Sequence, residues 1–279
     1  MTITALLALA VVGCGVGFLA GLVGIGGGVL IVPFLYFFYG HAAWSGVDLP
    51  QQLHATVSHA TSLFIIVPTA VVGTLTYARA GLVSWQAAVP IALVSVFAAA
   101  VGALAAARVP QEVLRLGFGI FLVFTAANLV APRPASAAGP LRLGAPVIVI
   151  AGALVGLLSA LLGVGGGLVA IPLLLHVVRL KVEQVAATSL AIVVVAATSG
   201  TLTYILAGLG VPGLPPGSFG YVHAAAALPM LPGAMVAARY GARLNQRLNP
   251  RQLRWTFAVL FLILGVRLVS ANLGYLLAG

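Results

Sequence analysis

The chain has 279 residues, 62% of them hydrophobic and 6% charged, with 13 basic and three acidic residues and a formal charge of +10 at pH 7. Soluble domains carry about a quarter charged residues, so this composition, with a mean hydropathy of +1.20, excludes a water-soluble globular fold and points to a polytopic membrane protein. The basic excess is first a topology signal, not a nucleic-acid footprint, and a single cysteine, Cys14, excludes an internal disulfide, a thiolate zinc site and a redox pair.

A helix needs about 20 apolar residues to cross the hydrocarbon core. Eight apolar stretches qualify, at residues 3–39, 53–78, 84–107, 111–131, 144–178, 182–208, 219–238 and 252–277. The first follows Met1-Thr2-Ile3-Thr4, which lacks a basic leader region, and it runs past signal-peptide length, so it reads as a retained span with Cys14 packed among its glycines. The first and fifth stretches are too long for one span and too short for two. Each carries a glycine triplet about two-thirds of the way along, which predicts a full-length or tilted helix, a break and a half-helix.

Residues 132–143, with Pro132, Pro134, Gly139 and Pro140, read as a linker near the midpoint. On either side the sequence repeats. Gly17, Gly24, Gly26, Gly27, Gly28 and Pro33 return as Gly156, Gly163, Gly165, Gly166, Gly167 and Pro172 at one offset. Ala60-Thr61-Ser62-Leu63 returns as Ala187-Thr188-Ser189-Leu190, and Gly73-Thr74-Leu75-Thr76-Tyr77 as Gly200-Thr201-Leu202-Thr203-Tyr204, at a second offset. The expected fold is therefore all-α, with two homologous membrane repeats of four apolar segments, residues 1–131 and 144–279, forming one membrane domain. Internal duplication of this kind is a transporter habit.

Whether the broken stretch crosses or returns decides the symmetry. If it crosses, the halves are parallel, and Arg108, Arg115, Arg179, Lys181, Arg239, Arg243, Arg247, Arg251 and Arg254 face Arg79, Arg133 and Arg142. If it returns, the halves are inverted, and Arg108 and Arg115 face all the others; Arg267 joins the smaller group in both schemes. The second count is slightly more asymmetric and leans to inverted repeats. Both put the N-terminus outside and the 239–254 loop in the cytoplasm.

An interrupted helix survives in a bilayer only where protein or a water-filled cavity covers its backbone, so the two triplets are expected to face each other in the interior. Gly26, Gly27 and Gly28, with Gly165, Gly166 and Gly167, would let the chain turn through positive φ, and the half-helix after each offers free N–H groups and a positive dipole end. Such an end suits an anion. Close packing or a kink is the competing reading for one triplet alone. Thr61, Ser62, Thr188 and Ser189 sit deep enough that a hydroxyl needs a partner; Ser62 and Gly73, 11 residues apart, share a face, as do Ser189 and Gly200. Each hydroxyl alone reads as bonded to its own helix or a neighbour, while the duplicated set beside the triplets reads as a substrate site. His54 and His59 enter the second helix, where a protonated ring could meet an anion. His59 aligns with Ala186 and has no repeat. His41, His176 and His223 read as interfacial.

Asp48, Glu112 and Glu183 are the only acids, and all fall near loops or helix starts. This argues against a carboxylate proton relay, an aspartyl dyad or a carboxylate-ligated metal. Neither triplet continues as a Walker loop, so ATP hydrolysis within the chain is unsupported.

The duplicated Gly-Xaa-Gly-Gly-Gly followed by Pro, with the Ala-Thr-Ser-Leu further on, resembles the sulfite exporter (TauE/SafE) family over essentially the whole chain. The resemblance implies a multi-pass inner-membrane permease exporting sulfite, sulfoacetate or related small sulfur-containing anions. The family's motif positions fall on Gly26 to Gly28, Gly165 to Gly167, Thr61-Ser62 and Thr188-Ser189, while His59 has no fixed family counterpart. The expected function is secondary transport by alternating access, with a channel-like anion pore or a membrane enzyme centred on Ser62 and the nearby histidines as alternatives. The expected partners are a small anion and the lipid bilayer, with a homo-oligomer left open; no nucleic acid, cofactor, metal or catalytic residue is expected.

Overall fold

A computed structural model describes residues 1–130, 141–245 and 250–277. Most of the linker, with Arg133, and Arg247 in the 239–254 loop lie outside the described residues. The chain is a bundle of helices, as a membrane interior requires when every backbone group must find its partner within the protein.

Helix α1 (Ile3–Val23) starts at Thr2, whose Oγ1 accepts from the Ala5 N–H at 3.2 Å. It stops at Gly24, left-handed at φ 77°, whose N–H closes back on the Ala20 carbonyl. After the triplet, α2 (Gly28–Gly40) runs back, with Gly27 at φ 83° as its N-cap. The hairpin's two ends lie together: Thr2 Oγ1 donates to the Trp44 carbonyl at 2.7 Å, and the Thr2 N–H to that of Ser45 at 3.4 Å. A one-turn helix α3 (Ala42–Ser45) leads to α4 (His54–Arg79), α5 (Trp85–Ala106) and α6 (Gln111–Val130).

Helix α7 (Ala145–Leu162) ends at Gly163, left-handed at φ 66°. The helix after the second triplet, α8 (Gly167–Pro172), passes into a π-helical turn at Leu173–Val177. Pro172 has no N–H to continue the ladder, and the wider turn follows it. Here too the ends meet, the Arg142 N–H donating to the Val178 carbonyl at 2.9 Å. Next come α9 (Val182–Ala207), a two-stranded antiparallel hairpin of β1 (Ser218–Phe219) and β2 (Val222–His223), then α10 (Ala224–Asn245) and α11 (Pro250–Leu277). Among the described residues that small hairpin is the one strand pairing in an otherwise helical chain, which is consistent with an all-α membrane fold. It occupies the start of the stretch expected at 219–238, so the helix begins at Ala224 and extends to Asn245.

Five of these helices, α1, α4, α5, α7 and α9, are long and apolar enough to cross a membrane, and the short apolar helices of both hairpins add to them. The chain is a multi-pass membrane protein.

Small residues set how the helices meet. A Cβ on Gly13, Gly17 or Gly21 of α1 would fall 2.0–2.4 Å from the carbonyl oxygens of Met230, Ala234 and Ala238 of α10. One turn after another, these glycines admit the partner backbone. Gly102, Gly152 and Gly156 do the same between α5 and α7, where a Cβ would lie 2.4–2.7 Å from backbone oxygen. Each hairpin's first helix thus packs on a helix of the other half, and the halves are interleaved. Cys14, expected to be packed, is exposed on α1, although its Sγ lies against Gly233 of α10.

Candidate functional site

The two breaks meet in the interior. A Cβ on Gly28 would sit 2.5 Å from the Gly163 carbonyl oxygen, and one on Gly167 would sit 2.6 Å from Ile25 Cα. Gly26, Gly27, Gly165 and Gly166 all have φ between 80° and 86°, a region that costs other L-residues about 1–2 kcal/mol. Glycine is favoured here by conformation, and at Gly27 and Gly166 by space as well, since a Cβ there would meet Val16 Cγ1 at 2.6 Å and Val155 Cγ1 at 2.8 Å. Among the described residues no acceptor is found for the N–H groups of Gly26, Gly27 and Gly28, nor for those of Gly165, Gly166 and Gly167. Two short sets of backbone donors therefore flank one point, each opening a helical run, residues 28–40 and 167–177.

The space between the triplets is closed by two branched side chains. Ile66 of α4 and Val193 of α9 both lie within 3.3 Å of where a Cβ on Gly26 or on Gly165 would be, and both are fully buried.

The hydroxyls bind backbone across the interface of the two halves. Ser62 Oγ donates to the Gly163 carbonyl at 2.8 Å, and Ser189 Oγ to the Gly24 carbonyl at 3.0 Å. Each caps the left-handed glycine that ends the other half's long hairpin helix. Thr61 Oγ1 accepts from the His223 N–H at 3.0 Å, and Thr188 Oγ1 from the Ser84 N–H at 3.0 Å. Tyr77 and Tyr204 bond within their own halves, donating to the Gly21 and Ala160 carbonyls at 3.0 and 2.9 Å. All four Thr and Ser residues are fully buried. The sequence placed them beside the triplets; that the serines would donate to the opposite hairpin's carbonyls, and the threonines accept from the His223 and Ser84 N–H groups, has no local signal.

His59 is buried against the second break: a Cβ on Gly163 would meet His59 Cα at 2.6 Å. Its Nε2 is hydrogen-bonded to the Tyr36 hydroxyl at 2.5 Å. His223, expected to be interfacial, is instead 1% exposed. The β1–β2 hairpin folds it inward, where its Nδ1 bonds the Tyr39 hydroxyl at 3.0 Å and its backbone serves Thr61. Tyr36, Tyr39, Ile66 and Val193 are the neighbours that sequence reasoning missed. The tyrosines are not repeated in the second half, and the aliphatics look like any core residue. Among the described residues no cluster of His, Cys, Asp or Glu could hold a metal ion.

Over 92% of the chain, a probable membrane transporter protein of Methanocaldococcus jannaschii is 27% identical, with 93% of its own length covered. One from Haemophilus influenzae is 28% identical, over 92% of this chain and 95% of its own. The probable membrane transporter protein YunE of Bacillus subtilis is 23% identical, over 94% and 96%. No solved structure matches. The family described as Sulfite exporter TauE/SafE matches residues 9–268, a span that contains both breaks, all four hydroxyl residues and the interleaved helices around them. The chain belongs to the sulfite exporter TauE/SafE family.

Proposed function

We propose that the chain is a secondary transporter that exports small sulfur-containing anions, sulfite or a sulfonate such as sulfoacetate, across the inner (plasma) membrane by alternating access. The observation that carries this reading is the meeting of two helix breaks whose glycine N–H groups lack acceptors among the described residues. Unpaired donors inside a membrane protein cost several kcal/mol unless a ligand or water meets them. Donors at two helix starts favour negative charge without supplying a full positive one, so an anion can bind and still leave.

In this reading the anion replaces the contact between the two breaks, held by the N–H groups of Gly26 to Gly28 and Gly165 to Gly167. Thr61, Ser62, Thr188 and Ser189 frame the site and fix the hairpins that carry it, with His59 beside them. Ile66 and Val193 must part to admit the ligand. The hairpin ends that meet at Thr2 with Trp44, and at Arg142 with Val178, support returning hairpins and hence two inverted repeats. Arg79, Arg142, Arg179, Lys181, Arg239 and Arg243 then share the cytoplasmic side and the N-terminus lies outside. Alternating access follows when one interleaved half rocks against the other about α4 and α9.

The test is thermal stabilisation of purified protein by sulfite, sulfoacetate, taurine, sulfate and chloride, with Gly27→Leu alongside. A saturable response to a sulfur oxyanion that the variant loses supports the reading. No response to any of these anions by folded wild-type protein would remove it.

A further inference from the structure

We propose that Arg115, braced by Tyr36 and His59, is a second anion station on the route to the paired breaks, taking the same small oxyanions; this rests on the transport reading above. Arg115 lies in the second turn of α6 and is half-buried. Its Nε is buried without a hydrogen-bond partner. No ion pair is found for it among the described residues, although Glu112 is only three positions earlier on the same helix. A guanidinium set into a membrane protein with no counter-ion is costly and marks a functional position.

Its surroundings are built. The guanidinium carbon lies 5.2 Å from the centre of the Tyr36 ring. The Tyr36 hydroxyl is tied to His59 Nε2, and Phe118, one turn after Arg115, packs against both rings with centroids 6.2 Å away. A guanidinium resting on an aromatic ring keeps its N–H edge for hydrogen bonds, the edge that matches two oxygens of an oxyanion. The same residues lead inward. Tyr36 is eight residues after Gly28 on α2, about 12 Å at helical rise, and the backbone of His59 touches Gly163 at the second break. One short chain of contacts thus joins Arg115 to both breaks. The second half has Leu175 and Ala186 at the positions of Tyr36 and His59, so the station serves one of the two routes only, the one on the side of the N-terminus.

The test is sulfite flux in proteoliposomes over a concentration series, for wild type, Arg115→Gln, Arg115→Lys and Tyr36→Phe. Losing a charge-assisted contact should raise KM for Arg115→Gln by about 10- to 100-fold with kcat little changed. Arg115→Lys keeps the charge but loses the planar fork and its stacking, so its KM should fall between those of wild type and Arg115→Gln, while Tyr36→Phe keeps the ring under the guanidinium and should raise KM less than Arg115→Gln does. A brace without a ligand would instead lower thermal stability and kcat while leaving KM alone, which overturns the proposal. A wild-type measurement runs beside it: modification of Arg115 by butanedione, read on its peptide by mass spectrometry, should be slowed by saturating sulfoacetate, which does not add to the reagent's carbonyls as sulfite does, and not by gluconate at equal ionic strength. Absence of protection overturns the station even where Arg115→Gln does not fold. Wild-type flux that saturates and depends on the glycine triplets, with KM indifferent to Arg115, refutes the station alone. No saturable flux of any sulfur anion removes both readings.

Discussion

Replacing Ser62 or Ser189 by alanine separates two roles for a buried hydroxyl. Ser62 Oγ lies 2.8 Å from the Gly163 carbonyl, and Ser189 Oγ lies 3.0 Å from the Gly24 carbonyl with a longer approach of 3.5 Å to Gly167. Both carbonyls belong to left-handed glycines that end a helix, so neither has a following turn to bond. Hydrogen bonds between membrane helices average only about 0.6 kcal/mol, because a lost partner is usually replaced. A buried acceptor left with none costs about 1–3 kcal/mol. The second case applies here, and each substitution should destabilise by about 1–2 kcal/mol. Reversible unfolding in mixed detergent micelles measures this, and the double variant completes a cycle that reports any coupling between the two locks. Unfolding energies unchanged within about 0.5 kcal/mol, together with a large rise in KM for the transported anion, would refute the reasoning and assign these hydroxyls to ligand alone.

Other consequences are equally concrete. Gly17→Ala should prevent correct assembly, since its Cβ would lie 2.1 Å from the Ala234 carbonyl oxygen, whereas Gly15→Ala, with nothing within 4 Å, should be neutral or stabilising by about 0.5–1 kcal/mol in thermal unfolding. Ile66→Val should trim the closure between the breaks at a cost of about 0.5–1.5 kcal/mol; competition assays should show larger sulfonates gaining relative to sulfite, and an unchanged ranking would count against Ile66 as the barrier. In a Cys14→Ala background, Asp48→Cys and Pro212→Cys should react with an impermeant maleimide from one side of the membrane, and Arg79→Cys and Lys181→Cys from the other. Labelling of Asp48→Cys and Lys181→Cys from the same side would refute the returning hairpins.

The breaks were legible because glycine at positive φ has few substitutes. Gly24, Gly26, Gly27 and their partners at 163, 165 and 166 mark the sites where the chain leaves one helix and starts another, and their recurrence at one offset identifies both. The long helices were legible as apolar runs between loop residues. What the hydroxyls bind was not. The Ser62 to Gly163 bond spans 101 residues and depends on the halves being interleaved, which small residues at 13, 17 and 21 or at 152 and 156 permit without naming a partner. His223 was misread for the same kind of reason. Its neighbours Gly217 and Gly220 signal a loop, but only the turn they make, with two-residue strands, points the ring inward to Tyr39. Tyr36 and Arg115 lie on different helices and meet only through packing.

The central claim is that a sulfur oxyanion binds between the two breaks, and the most direct measurement is sulfite efflux from proteoliposomes by wild type, Gly26→Ala and Gly165→Ala. A Cβ at either glycine meets only side chains of Ile66 and Val193 within 3.3 Å, without a backbone clash, so these variants fill the site at a folding cost of about 1–2 kcal/mol from positive φ. The account predicts saturable wild-type efflux and a large loss of flux in both folded variants. Wild-type flux that both variants retain would contradict it.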